Sequence, residues 1–157
     1  MPKQDPSAPA SPGQHLALAT CTYQEFLPLM GLPVRTTVGL PRFALAYQLA
    51  GHAKLITPRR EFLGRPRDAY TLLYRRHLDA IGVGAIHAEL TGIAATHEPG
   101  RPLVLLCFDR FDKLTPPDDW CHRTLFADWW KQHVGDDVPE LGAQPTIPPP
   151  TLFDLAP

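Results

Sequence analysis

The run LVLLCF, Leu103 to Phe108, is apolar on both of the faces that alternate along an extended chain. A strand exposed to water on one side would alternate apolar with polar residues; one that does not is buried on both sides, as in a parallel sheet covered by helices. This segment therefore predicts a central strand, and the patterns around it are read against that demand. Asp68 stands where it can cap a helix to Ile81, in which Tyr70, Leu73, Tyr74, Leu78 and Ile81 recur at three- and four-residue spacing before Gly82. A second helix, Val83 to about Thr96, carries Ile86, Leu90, Ile93 and Ala94 on one face and stops before Pro99-Gly100. A third, His122 to about His133, carries Leu125, Phe126, Trp129 and Trp130, and the VPEL that follows reads as a short last strand. Val34 to Val38 is a short β-branched strand closed by Gly39 and Pro41. Strands alternating with helices predict an α/β domain, three-layer and Rossmann-like, with a small and mainly parallel sheet.

Prolines delimit it. Four lie in the first fourteen residues and five in the last thirteen, so 1–14 and 143–157 are read as disordered tails around one domain, 15–142. A net charge of −1 predicts no partner by bulk attraction, but Lys54 to Arg76 holds seven bases against two acids and Cys107 to Glu140 eight acids against four bases. Three cysteines, an odd number, and the absence of a basic start followed by an apolar signal region point to a reducing cytoplasm. No apolar run approaches the roughly 20 residues a bilayer requires, so no membrane partner is expected.

The chemistry concentrates after the central strand. Ligand sites in α/β sheets form beyond the carboxyl ends of strands, and Cys107 stands there, followed by Asp109 and a loop in which Pro116-Pro117-Asp118-Asp119 signals a helix start. Cys121, His122 and Arg123 then fall in the first turn of that helix. A partly exposed thiol at a helix N-terminus favours thiolate, so Cys121 is expected to be the reactive one, with Cys107 buried. The expected catalytic residues are Cys121, His122, Cys107 and Asp109; Arg123, Arg42, Arg59 and Arg60 are expected to bind an anionic ligand.

The strand ending LLC, the loop, Cys-His-Arg and the amphipathic helix, here LVLLCFD, WCHRTLFADWW and VPEL, resemble domain-of-unknown-function family 488, small bacterial, archaeal and phage proteins. GLPRF after VRTTV is similar to the family's proline-arginine turn, and the likeness spans about Tyr23 to Gly142. Many members carry Asp-Val-Arg on the first strand; this chain has Val34-Arg35-Thr36, so no carboxylate role transfers there. The resemblance implies no particular reaction.

Several chemistries are disfavoured. There is no phosphate-cradling glycine loop; GVGAIHAEL follows a helix and lacks the third glycine. A cysteine-based phosphate cradle needs an arginine six residues on, where Lys113 and Ala127 stand, and neither CxxC nor HExxH occurs. No metal and no cofactor are expected. The leading reading is an enzyme acting on a nucleotide or nucleic acid. The first alternative is a binding module using Arg59, Arg60, Arg65 and Arg67 on phosphates; the second is a metal-binding or thiol-redox protein built on Cys107 and Cys121. In the tail PPPTLFDLAP, Leu152 and Phe153 resemble the peptide that docks on the bacterial sliding clamp, with Pro149 and Pro150 where Gln and Leu belong, and would bind a protein partner.

Overall fold

The structure is a computed structural model that describes residues 15–115 and 118–143. Both proline-rich tails, with Leu152 and Phe153, lie outside the described residues. The central strand is where the sequence puts it: β4, Leu103–Cys107, is buried at every position. It lies between β1, Leu18–Thr22, and β2, Leu32–Arg35, and β3, Gly51–His52, extends the sheet beyond β2. All three pairings are parallel. The described chain is thus α/β, with three α-helices and a small parallel sheet of order β1-β4-β2-β3.

β2 begins earlier and ends sooner than VRTTV suggests, and it includes Pro33. A proline is tolerated there because, in a parallel ladder, the N–H and C=O of one residue face the same neighbour. The Pro33 carbonyl accepts from Ala50 N–H at 2.7 Å, so its missing N–H faces the start of β3, where little ladder exists to lose. Arg35 ends the strand by turning its side chain onto the carbonyls of Thr37 and Val38.

The helices are α1, Arg67–Ile81, α2, Val83–Ala95, and α3, His122–Val134. Gly82 at φ 85° breaks α1 from α2, whose axes differ by 82°. Asp68 lies inside the first turn of α1, which Pro66 precedes, rather than at the cap. The apolar stripes are the expected ones: Tyr70, Tyr74 and Leu78, then Ile86 and Leu90, then Leu125, Phe126, Trp129 and Trp130, all packed with Leu18, Leu32, Val34, Leu103 and Leu105 of the sheet. Each such side chain contributes about 1.5–3 kcal/mol by leaving water.

Helices on both faces of the sheet are not what the described residues show. Val104 and Leu106, with Ala19 and Cys21, face Tyr23 and Phe26 and the partly buried Met30, Leu45, Tyr47 and Leu49. The 45–49 stretch, which bends at Ala46 and Tyr47 and is neither helix nor strand, covers that face with Leu45, Tyr47 and Leu49. VPEL likewise forms a single bridge, Glu140 to Thr20, rather than a strand. All three helices therefore pack on one face, and the carboxyl edge of β4 opens beside the first turn of α3.

Candidate functional site

Two short pieces of backbone build the site. β4 delivers Cys107 at its last residue, where its carbonyl accepts the Tyr23 N–H. Cys121 is the N-cap of α3, with no side-chain cap bond; its carbonyl is held by Thr124 N–H, Leu125 N–H and the Thr124 hydroxyl. Neither Asp118 nor Asp119 caps the helix, because the cap position is Cys121, two residues beyond Asp119. Between the two cysteines the chain arches through a 3-10 turn, Phe111–Lys113, and buries Phe111 against both thiols.

The outcome is a compact trio. The Cys107 and Cys121 sulfurs are 2.6 Å apart, and His122 Nδ1 is 3.6 Å from the first and 3.5 Å from the second. Adjacent residues on a helix point roughly 100° apart; Cys121 and His122 nevertheless share a target because Cys121 is extended, at φ −153°. The imidazole tautomer follows from its other nitrogen. The Thr36 hydroxyl has one proton and gives it to the Leu106 carbonyl at 2.7 Å, so it can only accept from His122 Nε2, 3.0 Å away. Nε2 is the donor, and Nδ1 is turned on the sulfurs as the site where a thiol proton can be received.

All three side chains are buried: Cys107 is 3%, Cys121 2% and His122 7% exposed. The partly exposed helix-start thiol expected of Cys121 is not found, because Phe111, with Leu114 beside it, packs against the two thiols. The electrostatics also differ from expectation. Burial pushes the Cys107 thiol up, but the Cys121 hydrogen bond, the charge and hydrogen bond of His122, and Arg123 outweigh it and hold Cys107 well below the usual thiol range. Burial, the bond to Cys107 and the charge of Cys107 drive Cys121 well above it. Of the two sulfurs, Cys107 is the one on which the thiolate is favoured. Cys21, on the opposite face of the sheet, is pushed up to about 11 by burial.

The trio floors a cleft of about 410 Å³ that Asp109 also lines, with Arg65, Tyr70, Phe108 and Leu63 around it. Burial, then the neighbouring Cys107, raise the Asp109 carboxyl, while contact with the Cys121 thiol opposes them. Leu63 and Phe108 are 52% and 39% exposed, which gives the mouth an apolar rim.

Cys107, Cys121, His122 and Asp109 are therefore brought together. Arg123 is adjacent but does not line the cleft: its guanidinium lies 4.0 Å over the Phe111 ring, Nε donates to Glu140 at 2.5 Å, and Nη1 and Nη2 are buried without a hydrogen-bond partner among the described residues. It acts on the thiols through charge from below. Arg42 is exposed on the segment after β2, outside the cleft lining. Arg59 pairs with Glu61 at 3.5 Å, and the exposed Arg60 opens the 3-10 turn Arg60–Phe62; neither lines the cleft. Sequence reasoning passed over Thr36 and Glu140 as site residues. Thr36 lay inside a strand signal, and Glu140 is separated by 17 residues from the arginine it holds.

Cys107, Cys121 and His122 are also the donor types that a soft divalent metal takes, with ligand atoms within 4.8 Å of one another. For tetrahedral zinc, the bond lengths imply sulfur–nitrogen edges of about 3.5 Å, which match, and a sulfur–sulfur edge of about 3.8 Å. The 2.6 Å found falls well short of that. The two sulfurs would have to move apart by about 1.2 Å before both could ligate such an ion.

Comparison of the chain with protein-family models, with curated proteins and with solved structures gave no match.

Proposed function

We propose that this protein is a thiol-dependent enzyme in which Cys107, rather than Cys121, is the nucleophile, acting on a nucleotide or nucleic acid. The observation that supports it is the convergence of a thiolate-favoured Cys107, a proton-holding Cys121 and a tautomer-fixed His122 on the floor of one cleft. A thiolate is the nucleophilic form of cysteine, and the Cys121 hydrogen bond, the imidazole and the guanidinium favour it against the cost of burial. His122 Nδ1 is placed to take the proton and return it to a leaving group.

The substrate class rests on what surrounds the trio. Arg65 lines the cleft, and the exposed Arg59 and Arg60 precede it on the same basic segment, where phosphate oxygens can be met. Tyr70 and Phe108 offer aromatic surface to a base in an otherwise largely apolar cleft. A Rossmann-like relation of the sheet to other nucleotide-binding folds, membership of family 488, and a cytoplasmic location that keeps the thiols reduced belong to the same proposal. The exposed Arg42 and Arg60 keep the binding-module reading as its rival.

Two measurements test this. Iodoacetamide should label Cys107 with a midpoint below the ~8.5 of a free thiol, ahead of Cys121 and Cys21. Nucleotides and short oligonucleotides should be bound and turned over by the native protein, and Cys107→Ser should bind without turnover. A Cys107 that titrates as an ordinary thiol removes the nucleophile; equal function in folded Cys107→Ser leaves the binding module.

A further inference from the structure

The two sulfurs stand closer than any pair of unbonded thiols needs, and both are held by backbone that has no reason to move. A covalent disulfide spans about 2.05 Å between sulfurs, so the 2.6 Å gap between Cys107 and Cys121 closes with a shift of about half an ångström. β4 fixes one end and the first turn of α3 the other. The third thiol, Cys21, belongs to the core on the other face of the sheet, so Cys107 has one thiol partner within reach.

We propose that Cys107 and Cys121 undergo reversible exchange with low-molecular-weight disulfides, and that the disulfide they form switches the nucleophile off. This rests on the reading of Cys107 as the attacking thiolate. In the first step Cys107 sulfur attacks one sulfur of the small disulfide; a Cys107–sulfur bond forms, the S–S bond of the co-substrate breaks, and one thiolate leaves and takes up the proton Cys107 had lost. In the second, Cys121 loses its proton to His122 Nδ1, 3.5 Å away, and its sulfur attacks Cys107 sulfur. The second small thiolate leaves with that proton. The protein dithiol is oxidised by two electrons and the co-substrate is reduced to two thiols. A small thiol in excess runs the sequence backwards and restores the nucleophile.

The geometry assigns different roles to the two cysteines. Cys107 lies at the strand end, carries the thiolate and attacks; Cys121 retains its proton until a mixed disulfide appears and then resolves it. The cleft of about 410 Å³ above the thiols admits a small disulfide.

The full reduced chain, incubated with hydroxyethyl disulfide, quenched with iodoacetamide and analysed by intact mass and peptide mapping, tests this. The expected native product has lost two hydrogens, yields a Cys107–Cys121 linked peptide, retains no adduct and is restored by dithiothreitol. Cys121→Ser should stop at the mercaptoethanol adduct on Cys107, formed roughly tenfold faster than any at Cys21, and Cys107→Ser should give no linked product. A native protein that stays reduced, or that keeps the adduct, overturns the exchange; rapid alkylation of Cys107 in that same protein shows that the thiolate reading survives it. Slow alkylation together with no exchange removes both. Should a serine variant not fold by circular dichroism, the linkage map of the native chain decides alone.

Discussion

His122 Nε2 donates to the Thr36 hydroxyl at 3.0 Å, and that one contact determines which imidazole nitrogen the thiols meet. Thr36 is 1% exposed and uses its own proton on the Leu106 carbonyl of the central strand, so sheet and imidazole are joined through a single oxygen. Thr36→Val keeps the shape and removes the oxygen. The N–H it would leave buried costs about 1–3 kcal/mol, and the Cys107 alkylation midpoint should rise by about half a pH unit or more as the imidazole loses the acceptor that orients it. Thr36→Ser should restore both. An alkylation profile unchanged in Thr36→Val would show that His122 does not set the thiolate.

The two thiols impose opposite slopes on stability. Cys107 is held down in the folded chain, so between its folded midpoint and the unfolded value of about 8.5 the unfolded state binds more protons and stability rises with pH. Cys121 and Cys21 are pushed up, so above about 8.5 the unfolded state loses protons the folded state keeps, and stability falls. Urea unfolding of the reduced protein should therefore peak near pH 8–9. Cys107→Ala should remove the rise between about pH 7 and 8.5 and leave the fall, which is the check on the sign for each group.

How much of this was legible in the sequence follows from which contacts are local. Leu103 to Cys107 declares itself because a strand buried on both faces has no polar alternation, and the helical stripes because each repeats within its own segment. β1 went unread: its Thr20 and Thr22 are buried and satisfied through Glu140 and Glu25, partners far away or in the next turn, so a buried strand looks half polar. The thiols' convergence was legible from the strand end and the helix start. Which of them carries the charge was not, because it depends on Phe111 packing against the thiols and on Arg123 being held beside the site by Glu140.

Gly31 shows how close packing sets the start of β2. Its φ is 147°, and a Cβ there would lie 2.3 Å from the Pro102 carbonyl oxygen, which itself receives the Leu32 N–H. Gly31→Ala must move backbone that registers β2 against β4, at a cost of about 2–4 kcal/mol. Gly84, where an added Cβ meets nothing within 4 Å, is the control, and its alanine variant inside α2 should be neutral or more stable by up to about 1 kcal/mol. Equal melting temperatures for the two variants would contradict the pairing of Leu32 with Leu103 at the start of β2.

The buried link beneath the thiols sets the last expectation. Arg123 has a fully buried side chain whose Nε meets Glu140, while Glu140 Oε2 accepts from the Thr20 hydroxyl on β1, so the ion pair ties α3 to the sheet edge. Taking away one member of a buried pair strands the other's charge, which costs about 3–5 kcal/mol; with Glu140 still 13% exposed, Glu140→Gln should lie near the lower end, about 3 kcal/mol. Arg123→Met fills most of the same volume and removes the two unpartnered Nη groups; the carboxylate it strands is partly exposed and still accepts from the Thr20 hydroxyl, so it should cost less than Glu140→Gln, which strands a fully buried cation. The two variants also part in their effect on the thiol. Arg123→Met should raise the Cys107 alkylation midpoint, since a cation that favours the thiolate is gone, whereas Glu140→Gln leaves that cation in place and removes a nearby anion, and should keep the midpoint or lower it. Stability and thiol reactivity then move independently, and denaturant midpoints paired with alkylation profiles of the same two proteins measure both. If Arg123→Met leaves the Cys107 profile where it was, the arginine only joins helix to sheet and its charge plays no part at the sulfurs.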